Sequence, residues 1–314
     1  ARITGILSRQ GAEVLGGLNI FDRIIIIDPQ WLKYKKVFFL KRWLSAIKLL
    51  FIVNSTKPDL AVGMRWQDRL TSLVLSLCSA GLKAGYDVRG MGFGINLKAE
   101  NIPGTHAVEK NMGLIRLIVP EKKFRIKLGC SFSAEDTGSA LKKAGYNLKG
   151  KYAVIHTGSG AKAKNWTIAN FEKLAKAVGR SHKVVIIDGA GENRAGAFKG
   201  KNIINLQGKT SIRETAALIK RAALVIGNDS GAVHMAAALG VKSLVLFSGT
   251  APYEVWRPYG PKSFALVKEA GCAPCGLAQC DKQRHICMDF DVGYVTKLAE
   301  RILSGKQKIK IIEV

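Results

Sequence analysis

The chain has 314 residues, enough for two domains, and 47% of them are hydrophobic, so a sizeable core can form. Its 49 Lys and Arg against 23 Asp and Glu give a formal net charge of +26, which predicts an anionic partner: nucleic acid, an acidic membrane surface or a phosphorylated substrate. No apolar run is long enough to span a bilayer, and residues 1–20 lack the order of a signal peptide. We therefore expect a cytoplasmic protein rather than a membrane-spanning or secreted one.

The N-terminal part of the chain has a series of short strand and helix patterns. Apolar runs predict strands at 2–7 and 22–28, the second of which, DRIIIID, is predicted to be a buried parallel strand. Helical periodicity follows at 67–80 and 106–118. The opening run ARITGILS has the character of the second strand of a βαβ series, so we expect that residues preceding Ala1 are missing from this sequence.

A basic segment rich in aromatic residues occupies positions 31–53. At helical spacing its apolar side chains are interleaved with cations, as in amphipathic helices that lie on anionic membrane surfaces. A helix that packs its apolar side on the sheet and keeps its lysines in water has the same composition. Both arrangements can coexist if one edge of the helix stays exposed. The cations are Lys33, Lys35, Lys36, Lys41, Arg42 and Lys48.

A polar, charged stretch at 120–150 predicts a boundary between two domains, 1–147 and 148–314. Beyond it, apolar strands alternate with helices, which predicts a doubly wound parallel sheet. The predicted strands are 152–156, 183–188, 202–206, 223–226 and 242–247. Most of them end in Gly, Ser, Thr or Asp, and in such sheets ligands bind beyond the carboxyl ends of the strands.

The stretch 222–240, AALVIGNDSGAVHMAAALG, predicts a buried strand, a tight turn and a helix. Such a junction binds anions, because free backbone N–H groups and the positive end of the helix dipole point at the space above the turn. Gly231 lets a ligand approach the backbone closely, and His234 lies one turn into the helix. The alternative is an ordinary turn that Asp229 or Ser230 caps.

Two further strand ends carry groups that suit a nucleotide diphosphate. The loop of Thr157, Gly158, Ser159 and Gly160 offers backbone N–H groups and hydroxyls, with Lys164 as a phosphate partner. Glu192, after the next strand, could accept hydrogen bonds from ribose hydroxyls. With the turn at 229–234, these groups would recognise two phosphates and one sugar diol.

The sequence NDSGAVHMAAALG, followed by VLFSGTAPYEVWRPYG, resembles the C-terminal signature of glycosyltransferase family 9, the ADP-heptose:lipopolysaccharide heptosyltransferases. Further similar segments occur in order along most of the chain. They are PDLAVGMRWQDR, HAVEKNMGLIRLI, the Lys164-Asn165-Trp166 triplet and a cysteine cluster that ends in Cys287-Met288.

The resemblance implies an α/β protein of GT-B architecture, with two Rossmann-like domains facing across a cleft, the acceptor on the N-terminal side and the donor on the C-terminal domain. It implies that Lys164 and the turn of Asp229, Ser230, Gly231 and His234 contact the donor diphosphate, and that Glu192 matches a residue for the donor ribose. Lys164 and His234 would stabilise the leaving group, and no metal or other cofactor would be required.

The implied reaction is inverting transfer of a heptose or related sugar from an ADP-sugar to a phosphorylated lipopolysaccharide core acceptor. The acceptor is an anionic lipid-linked saccharide, so the resemblance implies a protein that is peripheral on the inner face of the cytoplasmic membrane and bound through 31–53. In the family, a Gly-Asp loop after the first strand supplies the catalytic base. No such segment precedes Arg2, so we expect the base N-terminal to Ala1.

Two other functions remain open at this stage. One is a GT-B transferase with another nucleotide-sugar donor, such as a UDP-sugar, because the turn recognises diphosphate and not the base. The other is a non-catalytic basic relative that binds nucleic acid or anionic lipid. The basic residues are spread along the chain and no recognised nucleic-acid-binding module occurs, so a specific nucleic-acid partner is not expected.

Four of the six cysteines, Cys272, Cys275, Cys280 and Cys287, follow the last predicted strand with C-x2-C-x4-C-x6-C spacing. Four thiols so close in sequence could hold zinc or an iron–sulfur cluster, although the spacing is not that of a standard finger. Reduced thiols are the favoured interpretation, since a cytoplasmic setting argues against disulfides.

Overall fold

The computed structural model describes residues 1–27, 39–145, 148, 151–189, 198–282, 285–308 and 311–314. Its strands are β1 (Thr4–Leu7), β2 (Arg23–Ile26), β3 (Leu60–Val62), β4 (Leu82–Tyr86), β5 (Leu97–Ala99), β6 (Tyr152–His156), β7 (Lys183–Ile187), β8 (Ile203–Asn205), β9 (Leu224–Asn228), β10 (Ser243–Phe247), β11 (Ser263–Val267) and β12 (Ile311–Glu313). Its α-helices are α1 (Arg9–Leu15), α2 (Phe39–Ser55), α3 (Arg69–Leu77), α4 (Ala107–Ile118), α5 (Ala134–Lys143), α6 (Ile168–Val178), α7 (Ile212–Arg221), α8 (Gly231–Ala238), α9 (Tyr253–Trp256) and α10 (Val292–Leu303).

Several helices begin at side chains that accept hydrogen bonds from the first turn. Ser133 and Ser211 form capping boxes with Asp136 and Glu214 at the starts of α5 and α7. Thr167 caps α6 in the same way, through the N–H of the third helical residue. These side chains satisfy backbone donors that would otherwise lack a partner, so the helix starts are set locally by the sequence.

The chain divides into two compact units. One consists of Ala1–Ala12 and Asn19–Ile126, and the other of Glu13–Leu18 and Lys127–Val314. The last change of unit, between Ile126 and Lys127, lies N-terminal to the boundary that we predicted between 147 and 148. The helix α5 accounts for the difference, because it packs on α7, where Lys143 and Ser139 contact the buried carboxylate of Glu214.

The second unit is built on a parallel sheet with the strand order β12-β11-β10-β9-β6-β7-β8. Alternate residues of each strand face opposite layers, as the pleat requires. Ile155, Ile186 and Ile226 pack with α6 and α10 on one face, whereas Val154 and Val225 pack with α5, α7 and α8 on the other. The sheet is therefore covered on both faces, as predicted for a doubly wound sheet.

The first unit contains parallel pairings of β1 with β2 and of β3 with β4 and β5. The strand predicted at 22–28 is indeed parallel, but the prediction that it is buried was wrong. Ile26 is 53% exposed, and none of the residues of β2 is buried. The apolar run DRIIIID indicated burial, yet in the described part of the chain β2 pairs only with β1.

The basic segment predicted at 31–53 is described only from residue 39, and its first part, including Lys33, Lys35 and Lys36, lies outside the described residues. The rest forms α2, which packs on α3. Among the helices that the structure describes, none has both the length and the hydropathy needed to cross a bilayer.

Candidate functional site

The candidate site lies at the carboxyl ends of β6 and β9 in the second unit. These strands are neighbours, and the chain builds the sheet outward from them, with β7 and β8 on one side and β10, β11 and β12 on the other. The point where the strand order reverses is where open α/β sheets bind ligands, because the connecting loops separate there. Thr157 follows β6 and Asp229 follows β9, so both predicted loops border this point.

Asp229 lies between two cationic or potentially cationic side chains. Its Oδ2 accepts a hydrogen bond from Lys164 Nζ at 2.5 Å, and its Oδ1 lies 3.3 Å from His234 Nε2. The carboxylate is only 5% exposed, whereas Lys164 and His234 are 23% and 41% exposed. Burial raises the pKa of Asp229, but the hydrogen bond from His234 and the charge of Lys164 outweigh it, so the pKa lies below its ordinary value.

Two of the side chains predicted to contact the diphosphate are thus brought together by a third, the carboxylate of Asp229. Lys164 and His234 approach each other through Asp229 although they are 70 positions apart in the sequence. Both side chains are partly exposed and can also donate to an anion, while the buried carboxylate holds them in place.

The short turn that carries Lys164, Lys162–Lys164, is fastened to the sheet by the residues after it. The backbone N–H of Trp166 donates to Asn228 Oδ1 at 2.9 Å, and Asn228 Nδ2 donates to the Thr157 carbonyl at 2.8 Å. The Trp166 ring is 1% exposed, and its Nε1 donates to the Phe290 carbonyl. The Lys-Asn-Trp triplet is therefore a rigid link between the two loops of the site.

The loop at 157–160 presents backbone more than side chains. Thr157 is fully buried, and its hydroxyl donates to Asp188 Oδ2 at 2.5 Å. The Ser159 hydroxyl lies 2.7 Å from both the Ala161 carbonyl and Asn165 Oδ1. Both hydroxyls that the sequence suggested for a ligand are thus used within the protein. Gly160 is exposed, and in the part of the chain that the structure describes no atom lies within 4 Å of where its Cβ would stand.

The start of α8 is open. Ser230 is its N-cap residue, but no side-chain hydrogen bond caps the helix, and the Ser230 hydroxyl lies 3.1 Å from His156 Nδ1 instead. No atom of the described residues lies within 4 Å of where a Cβ on Gly231 would stand. The first N–H groups of α8 therefore face accessible space, as an anion site at a helix N-terminus requires. The alternative turn, capped by Asp229 or Ser230, is not what the structure has.

A polar network that was not predicted from the sequence lies beneath the loop at 157–160. His156 ends β6, Asp188 follows β7 and Gln207 follows β8. Gln207 Nε2 donates to the Thr157 hydroxyl at 3.1 Å, and His156 Nε2 lies 3.8 Å from Asp188 Oδ1. All three directly end or follow predicted strands, so the rule that placed Thr157 and Asp229 could have found them.

His156 lies beneath the loop with its side chain 16% exposed. Burial lowers the pKa of His156, and the Asp188 carboxylate and the hydrogen bond with the backbone of Gly158 offset only part of that effect. The imidazole is therefore held neutral in the folded protein, where it supports Ser230 and Gly158 from below.

The cysteine cluster borders the Lys164 turn. The Ala163 N–H donates to the Ala278 carbonyl at 3.0 Å, and His285 Nε2 lies 2.9 Å from the Ala163 carbonyl. Cys272, Cys275, Cys280 and Cys287 line a cavity of about 220 Å³ beside it. Burial raises the pKa of the Cys287 thiol, and the other three thiols add to the rise.

All six cysteines are free thiols. Among the residues that the structure describes, no three Cys, His, Asp or Glu side chains are arranged so that they could hold a metal ion. The described geometry therefore gives no support to the zinc alternative for Cys272, Cys275, Cys280 and Cys287. Glu192, predicted to contact the ribose, lies outside the described residues.

A protein-family model and several known proteins are similar to this chain. The model of glycosyltransferase family 9 (heptosyltransferase) matches residues 59–285. Lipooligosaccharide heptosyltransferase 2 of Campylobacter jejuni is 31% identical over 154 residues, which cover 46% of this chain and 48% of that protein. The chain spans about half the length of the curated relatives it matches.

Solved structures show the same fold at low identity. The structure of the glycosyl transferase family 9 protein from Veillonella parvula has a TM-score of 0.75 at 17% identity and covers 97% of this chain and 88% of that one. The E. coli heptosyltransferase WaaC with ADP-2-deoxy-2-fluoro heptose has a TM-score of 0.67 at 17% identity, with 96% and 90% covered. These similarities confirm the predicted α/β GT-B fold.

The family model covers well over half of the chain, and it includes the loops that carry Lys164, Asp229 and His234. The chain belongs to glycosyltransferase family 9, the heptosyltransferase family.

Proposed function

We propose that this protein transfers a heptose or related sugar from an ADP-sugar to a phosphorylated lipopolysaccharide core acceptor, with inversion at the anomeric carbon. The observation that carries the proposal is the grouping of Lys164, His234 and the open start of α8 around the buried carboxylate of Asp229. Support for the donor comes from a relative of similar fold that was solved with an ADP-heptose analogue.

The proposed site acts on the leaving group. An acceptor hydroxyl attacks the anomeric carbon, its proton passes to a base outside this site, and the bond from the sugar to the β-phosphate oxygen breaks. Negative charge then grows on the diphosphate. In this proposal the Lys164 ammonium, the His234 imidazole and the N–H groups at the start of α8 stabilise that charge, and the contacts of both side chains with Asp229 support a preorganised site.

The backbone of 157–160 forms the other side of the proposed diphosphate site. Because the hydroxyls of Thr157 and Ser159 are bonded within the protein, the contacts proposed for a phosphate here are N–H groups of Gly158, Ser159 and Gly160. The ribose partner is proposed to be Glu192, on the basis of sequence alone.

The acceptor is proposed to be an anionic lipid-linked saccharide, with the enzyme peripheral on the cytoplasmic face of the membrane. The name of the Campylobacter relative, a lipooligosaccharide heptosyltransferase, supports this class of acceptor. The net charge of +26 suits an anionic substrate at an anionic surface.

Calorimetric titration with ADP, UDP, GDP and AMP tests the donor assignment. We expect saturable binding of ADP that is at least about tenfold tighter than that of AMP, since AMP lacks the second phosphate. Preference for UDP or GDP would replace the ADP-sugar by another nucleotide-sugar. Failure of every nucleoside diphosphate to bind would contradict the transferase and favour a non-catalytic basic relative.

A further inference from the structure

The helix α2 has two apolar faces, and one of them packs on the described part of the first unit. Ala46 is 4% exposed and packs against Val74 of α3, with Leu49 and Val53 beside it. Val53 also packs against the neighbouring apolar cluster that contains Leu75. This inner face anchors the helix to the rest of the unit.

The second apolar face points to solvent. Leu40, Leu44, Ile47 and Phe51 are 58%, 56%, 47% and 72% exposed. Their spacing of four, three and four residues places all four on one line along the helix. We call these four residues the outer stripe. Isolated exposed apolar side chains are ordinary, but a continuous line of four marks a contact surface.

Cations accompany the outer stripe. Lys41 and Lys48 are exposed and seven residues apart, so they lie on the same flank of the stripe, and Arg42 is exposed as well. The sequence contains no acidic residue between Asp28 and Asp59. The face therefore combines apolar side chains that can enter a hydrocarbon layer with positive charge and no opposing negative charge.

We propose that the outer stripe docks the protein on an anionic lipid bilayer. In this arrangement α2 lies parallel to the membrane plane, the outer stripe enters the boundary between headgroups and acyl chains, and Lys41 and Lys48 contact lipid phosphates. Charge complementarity favours this occupant over a protein partner. The proposed function enters this proposal at one point: a lipid-linked acceptor lies in a membrane, so the enzyme that uses it must reach the surface of that membrane.

Vesicle flotation of the full chain without nucleotide tests the docking. We expect binding to vesicles of phosphatidylcholine with phosphatidylglycerol, weaker binding to pure phosphatidylcholine, and a loss at high salt as the charges are screened. Replacing the stripe residues Leu44→Ser and Phe51→Ser together should lower the partition coefficient by about tenfold or more. The matched control is Ile102→Ser with Leu117→Ser, which removes apolar side chains that are 54% and 43% exposed elsewhere in the same unit.

The cationic contribution has its own pair of variants. Lys41→Gln with Lys48→Gln should weaken binding roughly thirtyfold. Each cation near an anionic surface strengthens binding by about five- to sixfold, and the two factors multiply. Lys297→Gln with Lys306→Gln removes the same charge from exposed positions in the second unit and should leave binding within about twofold.

Several results would overturn the docking. One is flotation that none of the α2 variants changes, and another is an equal loss in variants and controls. A wild-type protein that stays off anionic vesicles and self-associates through the outer stripe would also overturn it. ADP titration of the same variants separates the two proposals: docking fails when vesicle binding is absent while ADP binds, whereas the transferase fails when ADP does not bind.

Discussion

Asp229 is the residue on which the arrangement of the site depends. A carboxylate that is 5% exposed is stable only when it is paired, and here Lys164 and His234 supply the pairing. The same pairing fixes both nitrogen-bearing side chains at the mouth of the site before any ligand arrives. In the proposed reaction, such preorganised groups stabilise the leaving diphosphate without a cost of rearrangement.

The variant Lys164→Met should weaken ADP binding by about 10- to 100-fold, because it removes one charge-assisted contact and keeps the side-chain stem. Titration calorimetry measures the change. Lys162→Met is the matched control, since Lys162 lies in the same turn and is exposed. Equal affinities in the two variants would remove Lys164 from the proposed site.

His156 should make the stability of the protein depend on pH. Burial lowers the pKa of His156 below its ordinary value, so the unfolded chain binds more protons than the folded one as the pH falls through about 6.5. The free energy of unfolding should therefore decrease from pH 7 towards pH 5, and the variant His156→Asn should lose part of that dependence. Urea unfolding at a series of pH values measures both slopes, and identical slopes would show that His156 is not held neutral.

The sequence predicted some of the residues of this cluster and not others, for reasons that differ by residue. It singled out Asp229, His234 and Lys164 because a turn with a helix start and a nearby lysine has a recognisable pattern, and the structure brings the three together. Their pairing through Asp229 was not predictable, since it depends on the neighbouring positions of β6 and β9. The use of the Thr157 hydroxyl within the protein was not predictable either, because it donates to Asp188, which follows the neighbouring strand β7.

At the scale of elements, the spacing of β6 and β9 sets the geometry of both loops. Gly227 faces the backbone of β6 so closely that a Cβ would lie 2.8 Å from the His156 carbonyl oxygen. Gly231, four residues later at the start of α8, has no such neighbour. The glycine in β9 thus permits close strand packing, whereas the glycine that begins α8 leaves space for a ligand.

The same substitution at these two glycines should have opposite consequences. Gly227→Ala should lower the free energy of unfolding by roughly 1–3 kcal/mol, because the new methyl group pushes β6 and β9 apart. Gly231→Ala should leave stability within about 0.5 kcal/mol and reduce ADP affinity by roughly tenfold, because its methyl group stands in the proposed path of the phosphate. Urea unfolding and calorimetry measure the two effects, and an unchanged ADP affinity in Gly231→Ala would contradict the role of the α8 start.

Elements with strong periodicity were predicted well, and the environment of a strand was predicted less well. The helix predicted at 106–118 is α4, and the apolar run KVVII is β7. The run DRIIIID became a strand that is not buried, because burial depends on which elements cover a strand and not on the strand's own residues.

At the scale of the whole molecule, charge and composition pointed to the class of ligand but not to its place. The charge of +26 predicts an anionic partner, yet it cannot distinguish a nucleotide from a lipid surface. The structure separates two candidate regions in different units, the Asp229 site in the second and the outer stripe in the first. The compact units differ from the predicted boundary because the sequence of α5 resembles a polar linker, whereas in the structure Lys143 and Ser139 contact Glu214 of α7.

Hydrogen exchange of the full chain, with and without saturating ADP, addresses the proposed diphosphate site most directly, because the site is built largely from backbone N–H groups. We expect ADP to slow exchange by about tenfold or more in two separate segments, 158–160 and 230–232, and to leave α2 unchanged. Saturable ADP binding that protects other segments and neither of these two would contradict a diphosphate site at the ends of β6 and β9.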